Sequence, residues 1–106
     1  MSLVFAWLYV CISLSAEEVP ADVLFARKIQ PLLKVKCLTC HGDNPEKLKG
    51  DLDMRTRAGL LKGGESEEPA LVPGKAMASP LYLAVTRAHE ADWSAMPPKE
   101  NDKLST

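Results

Sequence analysis

Cys37-Leu38-Thr39-Cys40-His41 constrains this chain more than any other stretch. On a helical turn Cys37 and Cys40 stand one turn apart, and His41 follows at i+4 from Cys37 on the same face. Two thiols so spaced can meet the two vinyl groups on one edge of a porphyrin. The imidazole can then reach the iron from below the ring. C-x-x-C-H is the attachment signature of c-type haem. The proximal ligand is then His41, and the sixth position is left for another part of the chain.

Other readings of the five residues ask for partners that the sequence lacks. A structural zinc site wants four ligands, usually from a second C-x-x-C or a pair of histidines. The remaining candidates are His89 and Cys11, and Cys11 lies in an expected leader. A thioredoxin-like dithiol belongs to a βαβ pattern with a strand before the motif, and no such strand precedes Cys37.

The chain has 106 residues, enough for one domain. Leu3 to Leu14 is almost continuously apolar and is followed by small residues at Ser13-Leu14-Ser15-Ala16. That length is too short for a bilayer span and suits the apolar region of a signal peptide. The expected division is a leader over residues 1–16 and one domain over 17–106. No Lys or Arg precedes the run, so the usual positive charge of a leader is missing. Cys11 follows the bulky Tyr9 and Val10, which does not suit a lipoprotein signal. Export, to the periplasm or beyond, agrees with haem attachment outside the cytoplasm. Two of the three cysteines lie in the motif, leaving no pair for a structural disulfide. With 13 basic and 14 acidic residues the charge is nearly balanced, which points away from nucleic acid and from an anionic membrane surface.

Along the chain the pattern is helical. Asp22 is placed to cap a helix carrying Phe25, Ile29, Leu32 and Leu33, and Pro31 should kink it or begin a second segment. Gly42 to Asp53 reads as a loop. Thr56 to Lys62 reads as a short helix stopped by Gly63-Gly64. Glu65 to Pro69 is an acidic loop, and Pro73-Gly74 marks a turn. Ser79-Pro80 should open a helix to about Ala88. Met96-Pro97-Pro98 reads as an extended, stiff segment. No alternating strand pattern and no repeat is present. The expected fold is all-α, with long loops wrapped round a covalent haem in a chain too small to build more than a modest core. Ser105 sits where a helix cap belongs, with no helix after it, so a last helix is expected to be missing.

Phe25, Ile29 and Pro31 before the C-x-x-C-H-G are followed by Gly50-Asp51-Leu52-Asp53-Met54-Arg55-Thr56-Arg57 and Leu60-Leu61-Lys62-Gly63-Gly64-Glu65-Ser66. Val72-Pro73-Gly74-Lys75, Ser79-Pro80-Leu81-Tyr82 and Met96-Pro97-Pro98-Lys99 complete the order. Taken together, these blocks resemble the planctomycete-type cytochrome c domain over roughly residues 24 to 105. The resemblance implies haem binding and electron transfer. It also implies a domain near the N-terminus of a longer exported protein, and a final amphipathic helix.

Met96 is the expected sixth ligand, since a thioether is a soft donor that raises the potential of haem iron. Pro97 and Pro98 stiffen the loop that carries it. The alternative for Met96 is a gap-filling core methionine. Met77 and Met54 read as packing residues, and His89 as a surface histidine. His41 should donate its second ring N–H to a backbone carbonyl near Pro45. Arg55 and Arg57 are candidates for the haem propionates, with a solvated helix face as the alternative. Leu71, Tyr82 and Trp93 should line the ring, with Leu52, Leu60, Leu61, Val72, Leu81 and Val85.

These residues describe a one-electron carrier rather than an enzyme, with redox proteins or downstream domains of the same chain as partners. The rival is a haem enzyme or sensor with an open sixth position. That chemistry needs a distal base and an arginine near the open face, for which only His89 and Arg87 are available.

Overall fold

The computed structural model describes residues 18–105, together with Val4, Val10 and Cys11. Apart from those three positions, the expected leader lies outside the described residues. Among the described residues every regular element is helical and none is a strand, so the all-α expectation holds. No described helix is long and apolar enough to cross a membrane.

The chain enters α1 (Ala21–Leu24) from Pro20, whose carbonyl accepts the Leu24 N–H at 2.9 Å. Asp22 does not cap this helix. It lies inside the first turn and accepts the Val23 N–H at 2.9 Å. A π-helical segment, Phe25–Ile29, then leads into α2 (Gln30–Lys36), with Pro31 in the first turn of α2. Proline has no N–H for the carbonyl of Arg27, and the widened turn ahead of it accommodates the missing bond. The π turn also breaks the 3.6-residue register. Of the expected stripe only Leu33 packs on the core, while Phe25, Ile29 and Leu32 stay exposed.

α3 (Leu38–His41) follows after Cys37, where φ of −126° ends α2. α4 (Arg57–Lys62) is capped by Thr56, whose hydroxyl accepts the Gly59 N–H at 3.0 Å. It stops at Gly63, where φ is +75° and a Cβ would stand 1.8 Å from the Glu68 carbonyl oxygen. Only glycine accepts that backbone at that distance.

α5 (Pro80–Val85) begins with proline at its first position, as the sequence requires, but ends three residues before Ala88. Ser79 occupies the cap position without capping. Its hydroxyl is turned back to the preceding turn, accepting the Val72 N–H at 2.9 Å and donating to the Lys75 carbonyl at 3.1 Å. Short 3₁₀ turns at Lys49–Asp51, Ala76–Ala78 and Glu100–Asp102 punctuate the loops.

Met54, Leu60 and Ala70 are the buried hydrophobic centre, with Leu33, Cys37, Leu38, Leu52, Leu71 and Leu81 packed around it. Backbone bonds tie the pieces across this centre. The Met54 N–H donates to the His41 carbonyl at 2.8 Å, that of Ala70 to Leu60 at 2.9 Å, and that of Leu81 to Ala70 at 2.9 Å. The cysteine motif, α4 and the start of α5 therefore share one small core, and a cleft opens beside it.

Candidate cofactor site

The motif is presented by one tight turn. The Cys37 carbonyl accepts both the Cys40 N–H at 3.2 Å and the His41 N–H at 3.0 Å, and the Cys37 N–H is anchored on Leu33 at 2.8 Å. This turn holds Cys37, Cys40 and His41 against one mainly apolar cleft of about 350 Å³, within the size range of small-molecule sites. Leu52, Met54 and Ala70 extend it from the core, and Pro80, Leu81, Ala84 and Val85 contribute one face of α5. Trp93, Met96 and Pro97 bring in the last loop. The Met96 N–H is bonded to the Ala84 carbonyl at 3.2 Å, which fixes that loop on the end of α5. Residues fifty-five positions apart in sequence, His41 and Met96, thus border the same space.

The chemistry of these groups fits a covalently held porphyrin. Both thiols are free. Burial, and then the neighbouring Cys40, push the Cys37 thiol above its ordinary range. Among the described residues no three His, Cys, Asp or Glu side chains converge to hold a bare metal ion. His41 Nδ1 is buried without a hydrogen-bond partner. The expected bond from the ring to a backbone carbonyl near Pro45 is therefore not made. An unpaired buried nitrogen costs about 1–3 kcal/mol.

Other expected site residues lie apart from the cleft. Arg55 spends its fork on Asp53, with Nε to Oδ1 at 3.0 Å and NH2 to Oδ2 at 2.7 Å. This pair, and the Arg55 backbone N–H, hold the Asp53 carboxyl down to about 2. A propionate would have to displace Asp53 from a guanidinium already matched in geometry. Arg57 opens α4 with an exposed side chain. Leu71 packs on the hydrophobic centre instead of lining the cleft. Tyr82, 39% exposed, lies at a separate groove with Val85, Arg87 and Leu104. One residue further along α5 than Leu81, it is turned some 100° from the face shared by Leu81, Ala84 and Val85.

Met54 is a core residue at 4% exposure and also borders the cleft, whereas Met77 is 76% exposed and packs on little. The packing role expected of Met77 is thus not met, because its 3₁₀ turn faces outward. His89 is exposed, and Arg87 is engaged by the loop after Met96. Neither borders the cleft. Sequence reasoning passed over Pro80 and Ala84, which spacing from Leu81 would have found. It also passed over the rim residues Lys36, Glu68 and Asp92, for which the sequence carries no signal.

A helical fold that brings a C-x-x-C-H turn and a methionine loop to one apolar cleft defines the class of c-type cytochromes. Residues 37–100, more than half of the chain, match the family of planctomycete cytochrome C, and the chain belongs to it. The family implies a haem-binding, electron-transferring domain with covalent haem c, and the motif and the mainly apolar cleft fit that group. No curated protein and no solved structure matches the chain.

Proposed function

We propose that this chain is the electron-carrying domain of an exported protein, with haem c joined to Cys37 and Cys40 and with His41 and Met96 as the two axial ligands. The observation that carries this reading is the meeting of the C-x-x-C-H turn and the Met96 loop at one cleft. When bound, the haem supplies the one-electron Fe(III)/Fe(II) couple. The chain's own residues do the rest. Cys37 and Cys40 anchor the ring's edge, His41 and Met96 hold the iron, and Leu52, Leu81, Val85 and Trp93 keep the cleft apolar. A soft sulfur and a mainly apolar lining both favour the reduced state and raise the potential. With His41 and Met96 both holding the iron, no position would be left for a substrate, and the bound group would exchange electrons with redox partner proteins or further domains of the same chain. Residues 1–16 serve as the export leader and 17–106 as the haem domain.

The test is spectroscopic. Protein coexpressed with a c-type maturation system should retain haem through acid–acetone extraction and show low-spin iron with a weak sulfur–iron band toward the red. Met96→Ala should abolish that band and lower the potential. High-spin iron in the unaltered protein would overturn the carrier reading in favour of an open-site enzyme or sensor.

A further inference from the structure

We propose that Arg87 is a positioning residue for Met96, a clasp that holds the loop closed with the thioether on the iron; the proposal rests on the reading of Met96 as axial ligand.

Arg87 lies just after α5, and its side chain is only 15% exposed. Its guanidinium donates through NH2 to the Pro97 and Lys99 carbonyls, the latter at 3.0 Å, and through NH1 to Glu100 Oε2 at 3.1 Å. One planar group thus engages three successive acceptors on the segment that follows Met96. The Met96 N–H is bonded from the other side, to the Ala84 carbonyl, which also accepts the Arg87 N–H at 3.3 Å. The loop is therefore pinned at the Met96 backbone by Ala84 in the last turn of α5 and just after Met96 by Arg87, which follows that helix.

Two features of Arg87 are unfavourable taken alone. Its φ is +59°, in the left-handed region that residues with a Cβ avoid. Its Nε is buried with no partner. Such strain persists only where surrounding contacts over-determine it. Here those contacts are the loop carbonyls. Glycine would suit the backbone better but would leave the Pro97–Lys99 segment unheld. A lysine offers a point charge in place of a planar fork.

A weak axial thioether competes with exogenous ligands through loop opening, and the apparent affinity of a competitor scales with the open fraction. Each hydrogen bond from a charged donor shifts that fraction roughly tenfold. The experiment measures cyanide association with the ferric, haem-loaded protein by stopped flow at neutral pH, alongside the sulfur–iron band and the thermal midpoint. Wild type, Arg87→Gly, Arg87→Lys, Met96→Ala and the double variant Met96→Ala/Arg87→Gly are compared.

Arg87→Gly should raise the rate at least about tenfold and weaken the band while the midpoint changes little, since backbone strain is relieved as contacts are lost. Arg87→Lys should fall between. In the Met96→Ala background, which is fast already, Arg87→Gly should add nothing, because Arg87 acts through Met96. A rate for Arg87→Gly within about twofold of wild type overturns the clasp, as does equal acceleration in both backgrounds. If Met96→Ala itself fails to accelerate cyanide binding, the ligand assignment falls and the clasp with it. A fast Met96→Ala beside an unmoved Arg87→Gly removes the clasp alone.

Discussion

Ser79→Ala should destabilise this domain by more than its small volume suggests. Ser79 is 2% exposed, and its hydroxyl closes the turn that delivers the chain into α5. Its oxygen accepts the Val72 N–H at 2.9 Å, and its hydrogen goes to the Lys75 carbonyl at 3.1 Å, with the Val72 carbonyl more distant at 3.4 Å. Alanine removes the hydroxyl and leaves the Val72 N–H and Lys75 carbonyl without it, in a site too closed for easy hydration. At about 1–3 kcal/mol per orphaned group, and taking the low end for the partly exposed Lys75 turn, the loss is about 2–4 kcal/mol. For a domain of this size, that corresponds to a fall of roughly 10–20 °C in the thermal midpoint. Against a total stability of about 5–15 kcal/mol the change is severe.

The assay is thermal and urea unfolding of the haem-loaded protein followed by far-UV circular dichroism. Ser79→Thr keeps the hydroxyl but adds a methyl at a position only 2% exposed, and should cost about 1–3 kcal/mol by overpacking. Ser66→Ala is the control: its hydroxyl accepts the Glu68 N–H at 3.2 Å in an exposed turn, so the change should stay within about 0.5 kcal/mol. If Ser79→Ala unfolds within about 3 °C of wild type with an unchanged urea slope, water replaces the hydroxyl and the turn is not what anchors α5.

Cys37→Ala with Cys40→Ala should remove covalent haem, read as loss of haem staining on denaturing gels while the unaltered protein keeps it. Gly63→Ala should destabilise strongly, because a Cβ would stand 1.8 Å from the Glu68 carbonyl oxygen at a φ of +75°; the check is a lowered thermal midpoint or insoluble expression. Asp53 should make stability acid-sensitive. Its folded value is depressed to about 2, first by the Arg55 side-chain bond. Its contribution is therefore complete above the unfolded carboxyl value of about 3.9 and is lost as pH falls toward the folded one. Urea midpoints between about pH 5 and pH 2 should fall less steeply for Asp53→Asn than for wild type.

Much of the proximal half of the cleft was legible because its signals are local. Three residues of a turn carry Cys37, Cys40 and His41, Thr56 and Gly63 bound α4 by side-chain and backbone chemistry of their own, and Pro80 starts α5 by its fixed φ. The departures arise where a second partner intervenes. Ser79 reads as a helix cap because the cap rule looks forward, but the Val72 N–H and the Lys75 carbonyl in the preceding turn compete for the same hydroxyl and win. Arg55 reads as a free cation until Asp53, two residues earlier, folds back on it. The stripe on Phe25, Ile29 and Leu32 assumes 3.6 residues per turn, and a π segment rotates those side chains off the face it predicts. Tyr82 is different: α5 keeps its regular period, and the i, i+3, i+4 rule applied to Leu81, Ala84 and Val85 would have set Tyr82 aside.

The distal half depends on contacts that no local rule anticipates. Met96 draws attention in the sequence by its two prolines, yet its place beside the cleft follows from the Ala84 carbonyl and the Arg87 guanidinium, nine or more residues away. The two halves of the site are therefore secured by different physics. The thiols and His41 ride on a helical turn closed on the Cys37 carbonyl and tied to its near neighbours Leu33 and Met54. The methionine side is held by a few polar contacts to one helix end. If Met96 ligates iron as proposed, a thioether is a weak ligand and the tethering of its loop governs how firmly it is kept. On that reading, changes at Arg87 or Glu100 should act on the potential and on ligand access while leaving covalent attachment at Cys37 and Cys40 in place.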